Sequence, residues 1–399
     1  MTIIERLRLP WTPSDRLSDE IDDLDQEWLR SKQRPEGTVG HEIGIVDLFS
    51  GCGGMTLGFS EASRRLGMTA RVKAVADNDR RTTGVLTRNL GGRAITVDLG
   101  RLFGSPSGTP VTGREAVVAS ILGDVDVLLG GPPCQGHSDL NNHTRRNDPK
   151  NRLYLAMARA AEVLRPRLVV IENVPPVQWD SGKVVEATEA ALRELGYKTS
   201  GRVINCLRLG VPQTRKRFVL LGARDLAIEP DEVMASLLSR SFPPRTVRWA
   251  IEDLEDGARL DGAELDRISR ISEENAKRIA FLDESGETNL PNDRRPKCHR
   301  DEPTHSYKSM YGRLSWNLPA QTITTGFTSM GQGRFVHPSK RRTLTPHEAA
   351  RLQTFPDWFD WGGATRGELA TMIGNAVPPL MAMEIGLATL SAMRPPDMS

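Results

Sequence analysis

Short apolar runs that end on polar residues, separated by helix-like stretches, recur through the first half of this chain. Ile43–Phe49, Arg71–Ala76, Ala94–Val97, Val125–Leu129 and Arg167–Ile171 read as strands, and Phe218–Leu221 as a late one. Helical stretches fall between them: from a glycine turn to about Leu66, over Tyr154–Leu164 and over Val184–Leu195. Strands alternating with helices predict a mostly parallel sheet covered on both faces. In such a doubly wound α/β fold, ligands gather outside the carboxyl ends of the strands. Those ends carry Asp77-Asn78-Asp79, Asp98 and Glu172-Asn173, so polar groups collect where a site is expected.

Past Arg224 the alternation fades. Two helix-like segments, Pro230–Ser239 and Ser272–Leu282, precede a turn-rich basic stretch, Pro291–Arg300. Thr345-Pro346-His347-Glu348 has the cap, proline and glutamate of a helix start. This divides the chain into a catalytic and cofactor-binding domain at 41–224, a smaller domain at 225–370, and a final apolar helix at 371–399 that returns to the large domain. Residues 1–42 carry six Lys/Arg against ten Asp/Glu. The stretch 1–40 therefore reads as an acidic extension, with one helix between Ser18 and Lys32, and is a candidate docking element for a protein partner.

Met1–Pro10 lacks an apolar signal core, and no apolar run reaches the roughly 18 residues that span a bilayer. These features place the protein in the cytoplasm, with the nucleoid. The four cysteines, Cys52, Cys134, Cys206 and Cys298, are widely spaced and form no C-x-x-C pair. Neither a metal site nor a disulfide framework is expected from them.

Four constellations carry chemistry. The turn Asp47-Leu48-Phe49-Ser50-Gly51-Cys52-Gly53-Gly54 joins a strand to a helix, which lets a ligand approach the backbone and meet a helix amino terminus. It lacks the spacing of G-x-G-x-x-G, which weakens a nicotinamide reading. Asp77 ends the next strand, where a carboxylate accepts from ribose hydroxyls, and Asp98 at the following strand end could hold an adenine amine. Pro132-Pro133-Cys134-Gln135 presents one thiol after an apolar strand, with a cationic loop beyond it (Arg145, Arg146, Lys150, Arg152). A thiolate there can act as a nucleophile. Glu172, at a neighbouring strand tip, could hold and protonate a ring nitrogen. In Gln213-Thr214-Arg215-Lys216-Arg217, alternation puts Gln213, Arg215 and Arg217 on one face, where guanidinium groups can clamp a phosphate or a ring carbonyl.

Taken in order with Gly374-Asn375-Ala376-Val377-Pro378, these motifs make the chain resemble the DNA (cytosine-5)-methyltransferases of bacterial restriction-modification systems, from about residue 43 to 390. The resemblance implies a Rossmann-like S-adenosylmethionine-dependent fold with a small target-recognition domain. It implies a cofactor site of Phe49, Gly51, Cys52, Gly54, Asp77, Asn78, Asp98, Leu99, Pro132, Asn375 and Val377. Cys134 would attack C6 of a cytosine flipped out of double-stranded DNA, and Glu172 would contact N3 and the exocyclic amine. Arg215 would contact the ring carbonyl, with Arg217 supporting the local structure. Pro133, Gln135, Ser138, Asn173 and Gln213 would complete the substrate side, and the loop to about Lys150 would close over DNA. Asn78 stands where many relatives carry an aromatic. The segment from Arg313 to Thr324 resembles the motif that supports the recognition region, and the region before it is short for base readout. A tRNA cytosine stays open as the acceptor.

Overall fold

The computed structural model describes residues 19–133, 153–224, 228–240, 242–255, 264–300 and 309–393. In chain order the main elements are α1 (Asp19–Arg30), β1 (Glu42–Leu48), α2 (Gly54–Arg65), β2 (Thr69–Asp77), α3 (Arg80–Leu90), β3 (Arg93–Thr96), α4 (Leu99–Leu102), α5 (Gly113–Leu122), β4 (Val127–Gly130), α6 (Leu155–Leu164) and β5 (Leu168–Asn173). They continue with α7 (Val184–Glu194), β6 (Lys198–Asn205), β7 (Lys216–Ala223), α8 (Pro230–Ser239), α9 (Val247–Ile251), α10 (Glu273–Ser285), α11 (Pro346–Leu352), α12 (Arg366–Asn375) and α13 (Pro379–Leu390).

One seven-stranded sheet runs β3-β2-β1-β4-β5-β7-β6. β1 lies inside it, parallel to β2 and β4, because Ile43, Ile45, Val46 and Leu48 are apolar toward both faces. β7 inserts antiparallel between β5 and β6. The fold is thus the expected α/β, mostly parallel, with every strand of the site ending at one edge. β6 was not foreseen: Lys198-Thr199-Ser200-Gly201-Arg202 holds no apolar run, and the strand buries residues mainly on one side.

Two divisions drawn on the sequence shift. α1 is no appendage: Trp28 and Leu29 are buried in the main core. Its Asp25 lies 2.7 Å from Arg65 on α2 and 2.8 Å from Arg245, whose guanidinium stacks 4.3 Å above the Trp249 ring. Asp22 and Asp25, two of the acidic residues that suggested a solvated extension, pair with internal arginines. Likewise α8 belongs to the large body, since Asp231 accepts from Ser200 of β6 and Arg240 pairs with Glu384 of α13.

α13 packs against α2 at very short range. A Cβ on Gly58 would sit 2.3 Å from the Pro379 carbonyl, so only glycine admits this approach. By length and composition Arg366–Met393 is apolar enough to cross a membrane, yet 72% of that window is buried in the fold. Its apolarity is that of a core helix.

Because α1 is core, Leu29→Ala should lower stability by about 2–5 kcal/mol, the range for buried leucine truncation. Urea unfolding checks this; an extension hanging free of the body would lose nothing.

Candidate active site

The first wall of the site is the turn after β1. Phe49 adopts φ 56°, left-handed backbone that costs a non-glycine residue about 1–3 kcal/mol and persists only where the surroundings enforce it. Gly51 and Gly53 follow with φ of 51° and 93°. Asp77 fixes the turn from the next strand: its Oδ2 accepts from the Gly51 N–H at 3.0 Å and its Oδ1 from the Asp79 N–H at 3.1 Å. Each oxygen keeps a further lone pair. Gly54 meets the end of the chain, for a Cβ there would lie 2.0 Å from the Val377 carbonyl. The last motif thereby closes on the first, with Asn375 exposed and Val377 half-buried.

Along the same edge, Asn78 is exposed, and Asp98 caps α4 by accepting from Gly100 N–H at 3.0 Å. Leu99 is buried. Leu153, which the sequence reading passed over, packs against Gly100; a lone leucine gives no signal of that position. Cys52 departs from expectation. Its side chain is buried, its sulfur lies 3.6 Å from the Met372 carbonyl, and burial pushes the thiol up to about 12. Only its backbone can line a ligand. Beneath the turn, burial pushes the Asp47 carboxyl up to about 7, with Asp77 adding repulsion, although the Thr56 hydroxyl donates to it at 2.5 Å.

The second wall is formed by the tips of β4 and β5. Cys134, Gln135, Ser138 and the cationic loop to Lys150 lie outside the described residues. Their base is described: Asn173 donates to the Pro132 carbonyl at 3.2 Å, which ties the two tips together, with Pro132 buried and Pro133 half-buried. Glu172 is 9% exposed. Its Oε1 lies 2.7 Å from Nε of Arg217, and its Oε2 faces the Gly131 backbone, 3.7 Å from where a Cβ would stand. The carboxyl is therefore turned toward the strand that leads to Cys134.

The two arginines meet different partners. Arg215 is 2% exposed and donates to the carbonyls of Ile323 at 3.1 Å and Ala376 at 3.0 Å. Arg217 is the one that meets Glu172. Gln213 is fully buried: its amide donates to the Leu352 carbonyl and to Gln353 Oε1, and its carbonyl accepts from the Ile323 N–H. It ties the segments at Ile323 and Leu352 to the start of β7. Gln353, which the sequence reading missed, completes this cluster by donating to Ile373. Its sequence neighbours, Arg351, Leu352 and Thr354, give no signal of that role.

The profile of the C-5 cytosine-specific DNA methylases matches residues 43–390. Type II methyltransferase M1.BsuMI of Bacillus subtilis (strain 168) is 40% identical over 368 residues, covering 92% of this chain and 85% of that protein. Type II methylase M.HgiDII of Herpetosiphon aurantiacus is 31% identical, covering 84% and 91%. Two solved structures share the fold: a DNA modification methyltransferase encoded within an E. coli prophage, at TM-score 0.59 and 23% identity over 88% of this chain and 99% of that one, and S. pombe Dnmt2, at 0.56 and 16% over the same shares.

Two outcomes follow from the site's geometry. Arg215→Ala strands two buried carbonyls and should cost about 1–3 kcal/mol in urea unfolding. Asp47 titrates higher in the folded protein than in the unfolded chain, near 3.8, so its contribution to stability is complete below that value and is lost as the pH rises through about 7. Asp47→Asn should flatten this dependence, raising the melting temperature relative to wild type at pH 8 but not at pH 4.

Proposed function

The chain belongs to the C-5 cytosine-specific DNA methylase family, as a DNA (cytosine-5)-methyltransferase of the bacterial restriction-modification type, and from that premise we propose how its site works. The substrate is a cytosine turned out of double-stranded DNA, and the methyl donor is S-adenosylmethionine. The observation that carries the reading is the placement of Glu172, fixed by Arg217, beside the strand tip that leads to Cys134.

The residues of the first wall suit the donor. Phe49, Gly51 and Gly54 offer a backbone cradle at the start of α2, where amide groups attract a carboxylate. Asp77 faces outward at a strand end for ribose hydroxyls, and Asp98 for an adenine amine. Leu99, Pro132, Asn375 and Val377 close the pocket, Asn78 lies at its mouth, and Cys52 contributes backbone only. When bound, the cofactor supplies a methyl group on a positively charged sulfur.

The remaining chemistry is the work of the second wall. The Cys134 thiolate adds to C6 of the ring and opens the C5–C6 double bond. Glu172 holds N3 and the exocyclic amine, and receives support from Arg217, which is also the guanidinium within reach of the ring carbonyl. Carbon 5 becomes electron-rich. Once it carries the methyl, loss of its proton and departure of the Cys134 sulfur restore the aromatic ring. Asn173 holds Pro132 at the tip of β4, in the segment that leads to Cys134. Gln135 and Ser138 begin the basic loop that closes on the phosphates. The smaller domain, expected within 225–370, reads the target sequence, and the enzyme serves a restriction-modification or phage-defence system on the nucleoid.

The test is methyl transfer from labelled S-adenosylmethionine to duplex DNA, with methylated bases located by sequencing. Cys134→Ala should abolish labelling. DNA carrying 5-fluorocytosine, which has no C5 proton to lose, should remain covalently attached to the wild-type chain in a denaturing gel. Label transfer without any such adduct would refute the covalent route. Arg217→Ala should lower kcat/KM about 100-fold, the range for one removed electrostatic donor, at near wild-type stability. Arg215→Ala should act through stability instead.

A further inference from the structure

Pro175–Trp179 forms a 3-10 turn that begins two residues after Asn173, at the edge where β4 and β5 end. Val177 roots the turn in the core, while Trp179 is 59% exposed. A tryptophan so exposed is uncommon, because the ring loses more than any other side chain by staying in water. It is not exposed through looseness. Pro175 and Pro176 restrict the backbone, Gln178 donates back to the Pro175 carbonyl at 3.1 Å, and the Asp180 N–H donates to the Val177 carbonyl at 3.2 Å.

The charge around the ring points to a polyanion. Between Val174 and Lys183 the sole acid is Asp180, which is buried and accepts from the Gly182 N–H at 2.8 Å. Lys183, held at φ 49°, and Lys216, at the start of β7, are both exposed. A rigid aromatic ring on a turn that packs against β7, with exposed lysines shortly after it and at the start of that strand, suits a nucleic-acid backbone, the ring by packing on deoxyribose and the lysines by phosphate contact.

We propose that Trp179 is a DNA-contacting residue, on which the duplex beside the extracted cytosine rests. This depends on the reading above, in which a base enters between Glu172 and the strand tip of Cys134. Trp179 stands at the far end of the turn that follows β5. It steadies the duplex outside the pocket and takes no part in the bond changes within it.

The experiment uses the full chain with S-adenosylhomocysteine and a short fluorescein-labelled duplex containing the methylated site found by sequencing. Trp179→Ala should weaken duplex binding about tenfold, on the order of 1.4 kcal/mol. Trp179→Phe, which keeps a ring, should lose less than about threefold. The KM for DNA should rise with kcat unchanged. Melting temperature and affinity for S-adenosylhomocysteine should match wild type, which separates the effect from misfolding. Duplex binding by Trp179→Ala equal to that of an active wild type overturns this proposal alone. So does a change of oligomeric state in Trp179→Ala with DNA affinity retained, since the ring would then face a second copy. A wild type that transfers no methyl group to DNA cytosine overturns this proposal together with the functional reading.

Discussion

Gln213 and Arg215 fasten the carboxyl-terminal half of the chain to the sheet. Between them they reach Ile323, Leu352, Gln353 and Ala376, four points on three separate segments, all through buried hydrogen bonds. A buried polar cluster of this kind is costly if any member goes unmatched and specific when all are matched. It sets where the turn from Gly374 to Pro378 stands, and through Val377 how closely that turn lies against Gly54. The pocket between the first and last motifs therefore depends on two side chains that never face it.

The same strand start then delivers a third residue to the opposite side. Arg217 enters β7 two positions after Arg215 and pairs with Glu172 on β5, its neighbour in the sheet. A few residues thus reach both walls, Gln213 and Arg215 through backbone carbonyls and Arg217 through Glu172. The insertion of β7 between β5 and β6 makes this division possible, because an antiparallel strand begins at the edge where its parallel neighbours end.

Much of the architecture was legible in the sequence because the central strands are apolar on both faces and end on acids. Asp77, Asp98 and Glu172 all stand at the edge that the strand pattern indicated. What escaped were features set by tertiary partners. β6 is polar along one side and has no apolar run to mark it. The excess acid before residue 43 resembled a solvated tail because its partners, Arg65 and Arg245, lie far along the chain. The different partners of Arg215 and Arg217 are invisible to alternation alone, which puts both on one face and cannot say which one finds carbonyls and which a carboxylate. Cys52 looked like part of a ligand turn, yet its side chain points to Met372.

The meeting of Gly54 with Val377 joins opposite ends of the sequence. At roughly 5–20 residues per second on the ribosome, the glycine turn waits tens of seconds for the segment that completes its pocket. Contacts this distant also slow folding, since the intervening loop must be closed before they form. A nascent chain can assemble β1 to β5 and still lack the wall beside Gly54. Partly made molecules are therefore silent, and methylating capacity arrives in one step when the final helix docks.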